Sequence, residues 1–121
     1  IWAAEIVLNL RKKNPALKLH CILPCKNQAE KWPLSARNLY NNILAQADSL
    51  IYTSRQYHAN CMLERNRFLV ENASLLLAVY NGQKQSGTAA TLRYAQKLNR
   101  QIITINPNTM QITTKGLIQN A

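Results

Sequence analysis

The feature that most constrains the fold of this chain is a repeated alternation of short apolar runs with longer patterns of helical period. The apolar runs, interpreted as strands, cover residues 19–23, 49–53, 75–80 and 102–105, so their starts are 26 to 30 residues apart. Helical patterns precede them over residues 2–13, 34–47, 60–72 and 88–99. This is the spacing of a strand–helix–strand unit. The pattern predicts an α/β fold with a mostly parallel sheet and helices on both faces.

The two ends of the chain are less regular than its middle. Residues 1–5 resemble the first turn of a helix already under way, so we expect an upstream strand and loop, and a domain that is incomplete at its N-terminus. The length of 121 residues allows one compact domain, which we assign to residues 1–107. Residues 108–121 are weakly patterned and are interpreted as a tail or an edge strand.

The charge balance favours polyanionic partners. The chain has 15 Lys and Arg residues but only 5 Asp and Glu, which gives a formal net charge of +10. Such an excess attracts nucleotides and nucleic acids, although it is equally typical of a solvated surface. The basic residues are scattered, with the tightest run at residues 11–13, and they form no stripe that would indicate a duplex-binding face.

Cysteine usage and hydropathy indicate a compartment. Three cysteines do not make a disulfide framework, and no apolar stretch is long enough to cross a bilayer. We expect a cytoplasmic protein with no membrane partner. A zinc set of Cys21, Cys25, His58 and Cys61 is disfavoured, because Cys21 lies in the middle of a predicted strand and the spacing is not that of a standard knuckle. We therefore predict no metal.

The connection after the third strand has the composition of a phosphate-binding loop. Gly82 and Gly87 bracket it, and Ser86 and Thr88 add hydroxyl groups at the start of a helix. Glycine allows close approach to the backbone, and unpaired N–H groups at a helix start favour an anion. Thr88-Ala89 stands where a P-loop has Lys-Ser/Thr, which excludes a Walker-type NTPase. The alternative is an ordinary strand-to-helix turn in which Ser86 or Thr88 caps the helix.

An arginine and an asparagine interrupt the apolar arc of the third helix. Arg65 and Asn66 fall on the face defined by apolar residues such as Phe68 and Val70. Because burying a guanidinium without a partner is costly, Arg65 is predicted to bind a phosphate or carboxylate bidentately. The alternative is that it extends to solvent at the helix end.

The connection after the first strand, residues 24–32, is also expected at the ligand-binding edge of the sheet. Gln28 and Trp32 are candidates for contact with a nucleotide base, while the alternative for Trp32 is that it covers the edge of the core. Tyr40 is interpreted as structural. Asp48 is interpreted as the start of the second strand rather than as a catalytic acid.

Three segments together resemble one protein family: WAAEIVLNLRKK, ERNRFLVENASLLLAVYNG and SGTAATLRYAQKLNRQIITINP. They are similar to the YpsA-type uncharacterised bacterial proteins of the SLOG superfamily, whose relatives are the DNA-processing protein DprA and the LOG phosphoribohydrolases. The resemblance covers nearly the whole chain and implies a Rossmann-like, nucleotide-binding domain. It implies that Ser86, Gly87 and Thr88 form the phosphate loop and that Arg65 matches an arginine of both relatives. Arg-Asn-Arg at residues 65–67 extends the likeness to the DprA branch.

One departure bears on activity. The LOG hydrolases carry a glutamate three positions after the loop threonine, and here that position is Thr91. We therefore expect binding of a nucleotide or a phosphorylated nucleotide-derived ligand in a signalling or regulatory role, with no further cofactor. A phosphoribohydrolase-like enzyme and single-stranded DNA binding stay open as alternatives. Association with nucleic acid or with a second copy of the chain is left open too.

Overall fold

The computed structural model describes residues 1–116. It contains helices and strands in the predicted alternation, and their bounds agree with the sequence prediction to within two residues. The elements are α1 (Trp2–Lys13), β1 (His20–Leu23), α2 (Leu34–Gln46), β2 (Ser49–Tyr52), α3 (Cys61–Glu71), β3 (Leu75–Val79), α4 (Gly87–Lys97), β4 (Gln101–Ile105) and β5 (Ile112–Lys115). In the part of the chain that the structure describes, no helix has the length and apolar character needed to span a membrane.

The chain divides into two compact units, residues 1–61 and the residues from Met62 onward, called unit 1 and unit 2 below. In unit 1, β1 and β2 pair in parallel, from His20 opposite Ser49 to Leu23 opposite Tyr52. α1 packs against α2. The core consists of two clusters, which are Leu8, Leu19 and Ile43 near the start of the strands, and Leu23, Ala29 and Tyr40 near their ends.

A single carboxylate ties the elements of unit 1 together. Asp48, interpreted as the start of the second strand, lies directly before β2. It accepts hydrogen bonds from the Leu19 backbone N–H at 2.7 Å and from the Arg11 guanidinium at 2.8 Å. The hydrogen bond from Leu19, assisted by Arg11, holds the pKa of the Asp48 carboxyl below its ordinary value of 3.8. The end of α1 and the starts of both strands therefore meet at one charged group.

In unit 2, β4 pairs in parallel with β3 and antiparallel with β5. α4 packs on β3 and β4, and the buried cluster contains Val70, Ala78, Leu92, Ala95 and Ile102. Burial along β3 alternates, as a pleated strand requires. Ala78 is buried, whereas Leu77 and Val79 are each 62% exposed.

The strands of the described residues form two sheets, ordered β1-β2 and β3-β4-β5, and not one. Neighbouring strands in each sheet are parallel except at β5, so the small sheets are those of an α/β protein. β1 and β3 each have a hydrogen-bonded neighbour on only one edge within residues 1–116. A continuous Rossmann-like sheet with helices on both faces stays a prediction. Strand β5 lies within the segment interpreted as a tail or edge strand, and residues 117–121 lie outside the described residues.

Candidate functional site

The loop between β3 and α4 turns sharply at Gly82. Its φ angle of +92° is one that side chains with a Cβ rarely adopt, so glycine is required there for the backbone alone. The side chain of Asn81 supports the turn, because its Oδ1 accepts a hydrogen bond from the Gln83 N–H at 3.0 Å. This glycine therefore has a structural reason that is independent of any ligand.

Ser86 caps the helix that follows. Its Oγ accepts a hydrogen bond from the Ala89 N–H at 3.1 Å and donates one to the Gln83 carbonyl at 2.9 Å. The interpretation of Ser86 as a helix cap is thus confirmed. The hydroxyl already donates one hydrogen bond and accepts another, so Ser86 positions the loop and has no free donor.

Gly87 and Thr88 occupy the first turn of α4. The N–H groups of a first helical turn have no acceptor within the helix, so they are available to an anion. A Cβ built on Gly87 meets no heavy atom within 4 Å. Nothing in the described fold therefore requires glycine at this position, in contrast to Gly82. The hydroxyl of Thr91, at the position where LOG hydrolases carry glutamate, donates to the Gly87 carbonyl at 2.9 Å.

Arg65 and Asn66 lie together on α3, and both are half-buried. The Arg65 Nε–H donates to Asn66 Oδ1 at 2.9 Å, and its Nη2 lies 4.0 Å from the sulfur of Met62. These contacts orient the guanidinium along its own helix. That Arg65 and the residues 86–88 bind one ligand stays a prediction.

The two residues proposed for base contact lie in unit 1, in the loop after β1. The Trp32 ring packs edge-on against Tyr40, with ring centroids 5.3 Å apart, and joins the cluster around Leu23. This position on the core matches the structural alternative for Trp32. The Gln28 Oε1 atom is buried and has no hydrogen-bond partner within the described residues. Base contact by either side chain stays a prediction.

Sequence reasoning missed a cavity of about 290 Å³ next to this loop. Its lining combines the loop with one face of α2, and it contains Lys26, Asn27, Ala29, Glu30, Arg37, Tyr40 and Asn41. A second cavity of about 370 Å³ lies between α1 and α2 and is lined mostly by Leu8, Ile43 and exposed polar residues. Neither lining includes a residue of the predicted phosphate loop.

The cysteines are packed rather than arranged around a metal. Cys25 and Cys61 are fully buried. The pKa of the Cys25 thiol is raised chiefly by this burial and to a smaller extent by the neighbouring Cys61. Cys21 packs with a different cluster, around Leu8. Within residues 1–116, no three His, Cys, Asp or Glu side chains are grouped as metal ligands.

These features define a class of protein: an α/β protein with parallel strands in which a glycine loop runs from a strand into a serine-capped helix. The chain belongs to the YpsA family. The family model, described as the YspA SLOG family, matches residues 1–112.

Curated relatives are uncharacterised bacterial proteins. The chain is 36% identical to a UPF0398 protein of Brevibacillus brevis over 99 residues, which is 80% of this chain and 53% of the relative. It is 37% identical to one from Bacillus pumilus over 98 residues, covering 79% and 53% of the two chains. A UPF0398 protein of Lysinibacillus sphaericus is 28% identical over an alignment 124 positions long, which covers 98% of this chain and 69% of the relative. The chain thus spans about half the length of the first two relatives.

Proposed function

We propose that the protein binds a nucleotide or a phosphorylated nucleotide-derived ligand in a signalling or regulatory role, in a Rossmann-like domain, with a ligand phosphate at the start of α4. The observation that carries the proposal is the open space at Gly87, where a Cβ would meet nothing in the described fold. A closely approaching phosphate requires a position without a Cβ, and Gly87 is such a position although the backbone itself does not require glycine there.

The polar groups of the loop support an anion. Residues 81–91 contain Lys84 and no Asp or Glu. Ser86 fixes the first turn through hydrogen bonds to Gln83 and Ala89, which holds the N–H groups of Gly87 and Thr88 in place before a ligand arrives. Preorganised donors need little rearrangement on binding.

Membership of the SLOG family supports the nucleotide class, and Arg65 is the candidate for a second phosphate or carboxylate contact. The Arg65 Nε–H donates to Asn66 Oδ1, and Nη2 lies 4.0 Å from the Met62 sulfur. Asn66 then acts as a positioning residue for Arg65.

Turnover is a weaker candidate than binding. Cleavage of an N-glycosidic bond needs a carboxylate to stabilise the developing positive charge or to transfer protons. The loop and first turn of α4 contain none, and Thr91 is engaged with a backbone carbonyl. Single-stranded DNA binding is favoured by one observation, the net charge of +10, and it predicts affinity that falls steeply with salt.

Isothermal titration calorimetry with AMP and ADP-ribose tests the proposal. Gly87→Ala should weaken binding about tenfold or more, because a methyl group blocks the approach, while the melting temperature stays the same or rises slightly. Arg65→Gln should also weaken binding. Arg67→Gln is the matched control, because Arg67 is exposed on the same helix, with its guanidinium carbon 5.5 Å from the Tyr94 ring centroid.

Three results separate the functions. The proposal would be contradicted if neither AMP nor ADP-ribose bound at millimolar concentration. Equal affinity of the wild type and of Gly87→Ala for the bound compound would contradict it too. Release of a free base from AMP, lost in Arg65→Gln, would establish the enzyme instead. Salt-dependent binding of an oligonucleotide that Arg67→Gln weakens would favour the DNA-binding alternative.

A further inference from the structure

We infer that unit 1 contains a second ligand site, a cleft for a small oxyanion-bearing molecule between the loop after β1 and the N-terminal half of α2. The oxyanion is a phosphate monoester or a carboxylate. Its lining contains no residue of the proposed nucleotide loop of unit 2, and the inference does not rest on the proposed function. The cleft is the cavity of about 290 Å³ lined by the loop residues 26–30 and by Arg37, Tyr40 and Asn41 of α2.

Two residues that line the cleft, Arg37 and Tyr40, each carry a buried donor without an acceptor among the described residues. The Nε of Arg37 and the hydroxyl of Tyr40 are each buried atoms without a hydrogen-bond partner in the described structure. Tyr40 is only 9% exposed, so solvent does not compensate its hydroxyl. A buried donor without an acceptor destabilises the fold, and the great majority of buried polar groups in folded proteins have partners. In the proposed complex, shifts of the Arg37 and Tyr40 side chains bring both donors to acceptor oxygens of the ligand.

The charges of the cleft select an anion. Its lining holds two cations, Lys26 and Arg37, against one carboxylate, Glu30. Lys26 lies with its ammonium 5.8 Å from the centre of the Tyr52 ring, which keeps it beside the cleft through a cation–π contact. Asn27 and Asn41 add amide groups that donate or accept. Two cations and three neutral donor side chains, those of Asn27, Tyr40 and Asn41, suit an oxyanion better than a neutral sugar or an amine.

The rigid side of the cleft is built by the core. Tyr40 is part of the cluster with Leu23 and Ala29, and its ring is held by the edge of Trp32 at 5.3 Å between centroids. Its hydroxyl is thus fixed before a ligand enters. The volume of about 290 Å³ lies just below the range for drug-sized sites, roughly 300–1,000 Å³, which restricts the ligand to a small one.

Site-resolved NMR on the full chain tests this inference. The ¹⁵N-labelled protein is titrated with inorganic phosphate and, in a second arm, with acetate, and backbone shifts are followed for residues 26–41 and 86–89. We expect shifts at residues 26–41 that saturate. Saturation with phosphate but not acetate identifies a phosphate site, and the reverse identifies a carboxylate site. Shifts confined to residues 86–89 would report on the unit 2 loop and would overturn the second site.

Three variants sharpen the test. Arg37→Gln should weaken binding at residues 26–41 about tenfold or more, since it removes a charge-assisted donor. Tyr40→Phe keeps the ring and its packing but removes the hydroxyl, so it should weaken binding several-fold even if Arg37→Gln folds poorly. Arg55→Gln is the matched control, because Arg55 is an exposed arginine of the same unit, and it should leave this affinity unchanged. Equal affinity in wild type and Tyr40→Phe, or equal losses in Arg37→Gln and Arg55→Gln, would overturn the assignment.

Discussion

The two units hold their helices and strands together with opposite charges. In unit 1 the carboxylate of Asp48 accepts hydrogen bonds from Leu19 and Arg11. In unit 2 the guanidinium of Arg100 donates two hydrogen bonds to the last carbonyls of α3, at 3.0 Å and 3.1 Å. A carboxylate is neutralised in acid, whereas a guanidinium keeps its charge at every pH at which proteins fold. The comparison teaches that acid should loosen unit 1 and leave the corresponding link of unit 2 intact.

The largest expected effect is on unit 2. Arg100→Ala removes both hydrogen bonds to the Val70 and Glu71 carbonyls and a cation from the C-terminus of α3. We expect it to lower the free energy of unfolding by about 2–3 kcal/mol, because charge-assisted hydrogen bonds are the stronger kind. Urea unfolding measures the change. Arg93→Ala is the matched control, since Arg93 is exposed and donates a single 3.2 Å hydrogen bond. Equal losses from the two variants would show that the α3 contacts of Arg100 are not special.

The second prediction concerns pH and unit 1. The pKa of the Asp48 carboxyl is lowered, chiefly by the hydrogen bond from Leu19. A lowered pKa stabilises the fold above the ordinary value of 3.8, and this contribution is lost as the pH falls through the value in the folded state. Asp48→Asn should therefore lower the melting temperature at pH 7. The difference in melting temperature between this variant and the wild type should shrink as the pH falls below about 4.

Glu30→Gln is the matched control for this pH dependence, because Glu30 is an exposed carboxylate of the same unit. Its melting temperature should follow that of the wild type across the same range. A difference between Asp48→Asn and wild type that stays constant from pH 7 to pH 3 would contradict the comparison between the units.

The third prediction concerns the C-terminus of α4. Asn99 has a φ angle of +57°, and the Arg100 N–H that follows it donates to the Ala95 carbonyl at 2.9 Å, which closes the helix. A Cβ-bearing residue without a polar side chain is strained in this conformation. Asn99→Ala should cost about 1–2 kcal/mol, and Asn99→Gly should cost nothing or stabilise slightly. Thermal unfolding of the pair decides this, and equal stability of the two variants would exclude the backbone explanation.

The smallest expected effect concerns the N-terminus of α4. Ser86→Ala removes the cap on Ala89 and should cost about 1 kcal/mol. In unit 1, α2 begins after Pro33 without a side-chain cap, and Ser35 in its first turn is exposed. Ser35→Ala is thus the matched control and should change stability by less than about 0.5 kcal/mol. Chemical denaturation distinguishes the two, and a Ser35→Ala loss as large as that of Ser86→Ala would remove the contrast between the units.

Local patterns predicted the secondary structure well because they record local burial. The predicted helix over residues 2–13 coincides with α1, and the positions of Asp48 and Ser86 before β2 and α4 agree with the structure. A run of apolar residues does not reveal which side chains are packed. Within β3, Ala78 is buried, whereas Leu77 and Val79 are exposed.

The two candidate sites also differ in how far the sequence alone reveals them. Ser86 and Gly87 are adjacent in the sequence, so their motif is recognisable from the order of residue types alone. Arg37 and Tyr40 look like a solvated residue and a core aromatic in the sequence. Their significance depends on the loop at Lys26 reaching the same cavity from a different element.

By itself, the sequence determined the alternation of helices and strands, the glycine loop, the positive charge and the family. Each of these is encoded in residue types at short separation, where periodicity and turn chemistry act. Only the tertiary structure decided that the described strands form two sheets and that the Ser86 hydroxyl already donates its hydrogen bond. It also decided that the donors of Arg37 and Tyr40 are buried without acceptors. Pairing and burial depend on residues distant in the chain, and local pattern carries no information about which of them meet.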